Sequence, residues 1–186
     1  CTGANQCKVC DPNPANAGAG QAGCTINVNN GTACNDGNGC TVFDTCQSGT
    51  CQPGVVRDGD GDAHPDALCG GNDCNDQDFT VWSAPVEATN LVLTVASPAD
   101  PSWDSQAVLA GPGTVYDLVS GLLGPGMGVN FSAAACLQGN GPASYFDNRP
   151  DPALGSAYWY LSRAKNPCGV GTYGSPARDT DIPACP

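Results

Sequence analysis

The sequence predicts a mostly β chain with little or no helix, in which an irregular, disulfide-rich segment precedes a carboxy-terminal β-sandwich. Three observations carry that expectation. Glu87 is the only glutamate among 18 acidic residues, and Lys8 and Lys165 are the only lysines, so strong helix formers are scarce. Gly (25) and Pro (16) are abundant beside many Asn, Asp and Thr, residues that favour turns and strands. Thirteen cysteines supply covalent staples for parts that apolar burial cannot hold.

Residues 1–57 form the cysteine-rich segment, with cysteines at 1, 7, 10, 24, 34, 40, 46 and 51. Large apolar residues there are few, among them Val9, Ile26, Val28, Val42 and Phe43. Such a segment cannot offset its ordering entropy without cross-links. Three or four disulfides, each contributing about 2–4 kcal/mol, would suffice. Spacing does not reveal their pairing. The single C-x-x-C pair, Cys7 and Cys10, lacks the second pair or the histidines of a zinc site. Residues 1–87 hold ten cysteines and the rest of the chain three, Cys136, Cys168 and Cys185, so a cross-region bond, a bond between molecules or a leftover thiol all fit the parity.

Residues 88–186 read as the β-domain. Strands are expected at Leu91 to Val95, Trp103 to Leu109, Thr114 to Val119 and Ala157 to Arg163, separated by Gly- and Pro-rich turns. Strands at this spacing in about 100 residues fit a sandwich.

Between them, residues 58–87 are acidic. Asp58, Asp60, Asp62, Asp66, Asp73, Asp76 and Asp78 crowd into one short stretch. Carboxylates so concentrated repel unless a cation offsets them, and calcium suits them because it accepts six to eight oxygens at irregular geometry. Asp58-Gly59-Asp60-Gly61-Asp62 places carboxylates on alternate positions, as at the start of an EF-hand loop. The pattern then departs from an EF-hand: Ala63 stands at the glycine position and Cys69 at the final acidic one. The remaining oxygens must come from elsewhere, with Asp73, Asp76 and Asp78 nearest and Cys69 and Cys74 expected to close the loop between the two acidic groups. The candidate ligands are Asp58, Asp60, Asp62, His64, Asp66, Asp73, Asp76, Asp78 and Glu87, His64 standing where such loops offer a backbone carbonyl, and the expected cofactor is Ca2+. An ion there would join the cysteine-rich segment to the β-domain.

These residues carry resemblances. Asp58-Gly59-Asp60-Gly61-Asp62, then Asp73-Cys74-Asn75-Asp76-Gln77-Asp78, Pro85 and Glu87 resemble the MopE-type acidic repeat, whose loops are similar to those of thrombospondin type 3 repeats. That resemblance implies metal binding; its usual glycine after the third Asp is Ala63 here. Asn30 through Cys51 resembles a cysteine-rich repeat of secreted myxobacterial proteins, with Asp36, Asn38 and Asp44 as a second candidate calcium set. Trp103-Asp104, Tyr116 to Val119 and Tyr158 to Gly169 resemble a fibronectin type III-like domain, which implies that Trp103 and Tyr160 are core or corner residues. Domains of these kinds serve scaffolding and adhesion.

A formal charge of −12 argues against nucleic acid and anionic membranes as partners and for cations. No stretch is apolar enough to span a membrane. The chain opens on Cys1, which reads as a processed chain or a piece of a longer one, with a lipid anchor on Cys1 as an alternative. An extracellular or cell-surface location is expected. The only histidine lies in the acidic loop and no G-x-S-x-G motif occurs, so a non-enzymatic role is expected. Two such roles fit: a structural module of a surface or matrix assembly, whose partners are copies of itself in a filament or other surface components, and an adhesion or carbohydrate-binding module using Trp82 or Trp159.

Overall fold

Turn residues cut the first part of the chain into ladders too short to bury a core. The computed structural model describes residues 6–10, 24–94, 99–183 and 185, and the chain divides into two compact units, one of residues 1–59 with 63–71 and one of 60–62 with 72–186. The acidic segment contributes to both.

In the first unit, β1 (Lys8–Cys10) pairs with β2 (Cys24–Asn27), β3 (Thr41–Val42) with β6 (Val55–Val56), and β4 (Thr45–Gln47) with β5 (Thr50–Gln52), all antiparallel. Ser48 and Gly49 join β4 to β5 with φ of 51° and 81°. Two positive values in succession make the turn that matches strand twist in a two-residue hairpin. A Cβ on Gly49 would meet the Asn27 side chain, which would have to shift, and the left-handed backbone there favours glycine. Among the described residues, this unit buries Cys7, Cys46, Asp44 and Asp66, while Phe43 is 83% and Leu68 90% exposed. Disulfides stand in for an apolar core: Cys7–Cys46, Cys34–Cys51 and Cys40–Cys69.

The second unit is built on a four-stranded antiparallel sheet. Its order is β10 (Ala135–Gly141), β9 (Val115–Leu123), β11 (Ala157–Asn166), β12 (Gly169–Val170). A two-stranded ladder joins β7 (Val92–Leu93) to β8 (Pro101–Ser102). β9 is central, and alternation sends its side chains to two covered faces. Tyr116 and Leu118 join Trp103, Tyr160 and Ala164 on one face. Val119 joins Tyr173, Ile182 and Cys185 on the other, with Trp159, Leu161 and Phe131 packed against them. Trp103 and Tyr160 are therefore core residues. The disulfides Cys74–Cys168 and Cys136–Cys185 complete the unit.

Mostly β structure with little helix and many disulfides is what the composition implied; the described strands form one four-stranded sheet and separate two-stranded ladders, which do not show the expected sandwich. Two local expectations change. The stretch from Trp103 to Leu109 is not a strand: it ends in one helical turn, α1 (Ala107–Ala110). Gln106 decides this, because Tyr116 Oη accepts from its N–H at 2.5 Å while its amide group bonds Val86 N–H and the Val86 and Glu87 carbonyls. Its polar contacts outweigh the weak strand preference of the flanking residues. β10, with two glycines and an asparagine, has little strand propensity and forms by pairing with β9. Six further helical residues, α2 (Pro176–Asp181), are capped by Ser175, whose hydroxyl accepts from Arg178 N–H. Of the strand expected at 91–95, Val95 lies outside the described residues, as does Cys1.

Candidate metal centre

The alternating Asp-Gly run curls as its glycines allow. Gly61 has φ of 81°, and Ala63 has φ of 73°, a left-handed conformation that costs a residue with a Cβ about 1–2 kcal/mol. Ala63 thus takes the backbone shape for which an EF-hand loop uses glycine. Asp58 Oδ2 accepts from Ala63 N–H at 3.0 Å and Asp60 Oδ1 from Asp62 N–H at 3.2 Å. The result is convergence: Asp58, Asp60 and Asp62, all half-buried, each offer a carboxylate oxygen, and the three oxygens lie within 4.8 Å of one another. That grouping is able to hold a metal ion.

Asp73 adds a buried carboxylate. It is 1% exposed; Oδ1 accepts from Asn75 N–H at 2.8 Å, and Oδ2 is buried without a hydrogen-bond partner. Burial pushes its pKa up, Asn75 N–H opposes the shift, and the charges of Asp62, Asp60 and Asp76 push it further up.

The other buried aspartates show how this protein ordinarily satisfies such a group. Asp117, 0% exposed, is met by Arg163 at 3.0 Å and Lys165 at 2.6 Å. Asp147 is gripped by Arg149 and by the Tyr160 hydroxyl at 2.7 Å. Asp44 accepts from Asp36 N–H and Gly54 N–H, which hold its pKa down. Asp66 accepts from Leu68 N–H and pairs with Arg57, and both lower its pKa, the former more. Asp73 alone of these five buried aspartates leaves an oxygen without a donor and has other carboxylates for neighbours.

The remaining candidates are placed as follows. Asp76 is half-buried and close enough to Asp73 to raise its pKa. His64 is half-buried, directly after the left-handed Ala63. Asp66 caps the short 3-10 turn Ala67–Cys69. Asp78 accepts from Thr80 through hydroxyl and N–H, which lower its pKa in that order. Glu87 is exposed, its carboxylate beside Gly174 and Arg178. In the cysteine-rich repeat, Asp36, Asn38 and Asp44 accept from the loop's own N–H groups. The expected closure of the acidic loop by Cys69 and Cys74 is corrected: Cys69 bonds Cys40 and Cys74 bonds Cys168. Cys69 ends the 3-10 turn that the Arg57–Asp66 pair holds in the first unit, while Cys74 is held in the second by Cys74 N–H donating to Trp82 O at 3.1 Å. Cys7, Cys34 and Cys51 also bring their sulfurs together, but all three are in disulfides and offer no thiolate.

Sequence reasoning found the acidic group but not the distinction of Asp73, which depends on burial. Trp82 donates its indole N–H to Leu109 O, and Trp159 packs edge-on against Phe131, so both rings are engaged. The disulfides point to an oxidising environment, and no helix among the described residues is long and apolar enough to cross a membrane. Comparison with protein-family models, with curated proteins and with solved structures finds no match to this chain.

Proposed function

We propose that this chain is a non-enzymatic, calcium-stabilised structural module of an extracellular or cell-surface assembly. The carrying observation is the buried, unsatisfied Asp73 Oδ2 among aspartates that repel it. A divalent cation turns that repulsion into attraction. Oxygen-only carboxylate donors suit a hard ion, and several aspartates on irregular backbone suit calcium better than magnesium, which demands near-octahedral geometry. Asp58, Asp60, Asp62, Asp73 and Asp76 are the ligands in this reading, with the His64 carbonyl as a further candidate. Asp66, Asp78 and Glu87 have other partners or surroundings and are left out. The resemblances to MopE-type and thrombospondin type 3 repeats and to fibronectin type III-like domains support a mechanical role, with copies of the chain or other surface components as partners.

Thermal unfolding tests the metal. Calcium at about a hundred times its dissociation constant adds about 2.7 kcal/mol, or about 5–10 °C in Tm for a chain of this size. Chelator should remove that gain, and Asp60→Ala should abolish most of the difference. A melting curve indifferent to chelator refutes the metal. Negative-stain images in calcium test assembly: filaments support the structural role, whereas a monomer that binds glycans favours the carbohydrate-binding alternative.

A further inference from the structure

Asp73 immediately precedes Cys74, and that adjacency has a consequence. A buried carboxylate crowded by Asp60, Asp62 and Asp76 tends to swing out to water when no cation is present. Asn75 N–H holds one of its oxygens, and the chain beside it is fixed at residue 74. There, Cys74 N–H donates to Trp82 O at 3.1 Å, and the sulfur is bonded to Cys168. Cys168 lies in the turn between β11 and β12, and that turn is anchored. Asn166 Nδ2 donates to Ser83 O at 2.8 Å and Ala110 O at 3.1 Å, while Asn166 Oδ1 accepts from Cys168 N–H at 2.9 Å. The disulfide therefore ties the buried carboxylate's neighbour to the end of the sheet across 94 residues of sequence.

We infer that the Cys74–Cys168 disulfide is the positioning element of the metal site, so that calcium occupancy and the integrity of this one disulfide are coupled. The inference rests on the calcium reading above. Both the bond and the ion favour the conformation with Asp73 buried, and linkage makes the effect reciprocal: breaking the bond weakens calcium binding, and calcium protects the bond. Cys74 is exposed, so a thiol reagent can reach it. With dithiothreitol, one thiolate attacks a sulfur of the pair and expels the other as a thiolate, which takes a proton. The second thiol of the reagent then closes its own ring disulfide and releases the first cysteine as a thiol, so two electrons pass from reagent to protein.

The experiment uses the intact chain and calcium chloride. Calorimetric titration compares wild type with the double variant Cys74→Ser, Cys168→Ser, and the expected loss of affinity is about 5- to 150-fold. In parallel, the rate at which dithiothreitol exposes each cysteine to alkylation is followed by peptide mass spectrometry, with calcium and with chelator. Calcium should slow the release of Cys74 and Cys168 by a similar factor and leave Cys136–Cys185 unchanged. That second disulfide is the internal control, because it lies in the same unit and Cys136 is likewise exposed. The alkylation arm decides the matter if the double variant fails to fold. Equal affinity in a folded double variant, or calcium acting equally on both disulfides or on neither, overturns the coupling while leaving the metal site standing. Failure of oxidised wild type to bind calcium at all overturns the calcium reading itself.

Discussion

Asp73→Asn should change sign with calcium. The amide keeps an acceptor for Asn75 N–H and nearly the same shape but removes the charge. Two unit charges about 5 Å apart repel by about 1 kcal/mol at the dielectric of water and about 3 kcal/mol at an effective dielectric of about 20. Asp73 brings one more charge to Asp60 and Asp62 and loses hydration in doing so. Neutralising it should therefore stabilise the metal-free protein by about 1–3 kcal/mol at pH 7, about 2–12 °C in Tm. In calcium the same change deletes an anionic ligand, and each tenfold loss of affinity costs about 1.4 kcal/mol. The pH dependence follows the same logic. Asp73 ionises at higher pH in the folded chain than in the unfolded one, so without metal its cost is absent below the unfolded value of 3.8 and grows as pH rises through the folded pKa. Melting curves of both proteins with calcium and with chelator, across acid to neutral pH, check all of this. A variant that is destabilised equally with calcium and with chelator would show that Asp73 is a packing residue and that neither repulsion nor metal explains its burial.

Three further outcomes follow from other residues. Ala63→Gly should relieve a left-handed backbone and, after the entropy gained by the unfolded chain, raise stability in chelator by about 0.5–1 kcal/mol, measured by urea unfolding. Asp147, held down to about 2 by Arg149 against the penalty of burial, contributes stability above its unfolded 3.8 that is lost as pH falls through about 2; Asp147→Asn should cost about 2 kcal/mol at pH 7 and flatten that acid limb, read from denaturant midpoints against pH. Tyr160 and Tyr173 are pushed up from 10.0 to about 12, both chiefly by burial, so ultraviolet titration should show these two ionising only near pH 12, with stability falling as pH rises from the unfolded value of 10.0 to about 12.

The sequence by itself determined the β class, the reliance on staples and the location of the acidic segment, because these follow from residue type and local spacing. Scarce helix formers exclude long helices, and Asp-Gly alternation curls a chain whatever surrounds it. Even the odd residue in that loop was legible: Ala63 stands where an EF-hand loop has glycine and takes the glycine-like conformation. Tertiary structure alone decided the rest. The turn at Ala107–Ala110 follows from Gln106 reaching Val86 and Glu87, and β10 from its neighbour β9, neither visible in local propensity. Cys40 finds Cys69 and Cys74 finds Cys168 because the fold brings them together across 29 and 94 residues of sequence, and spacing carries no record of that. In the sequence the seven clustered aspartates look alike. Folding gives Asp66 an arginine and Asp78 a threonine, and leaves Asp73 buried with an unsatisfied oxygen, because desolvation and charge are set by what packs around a carboxylate.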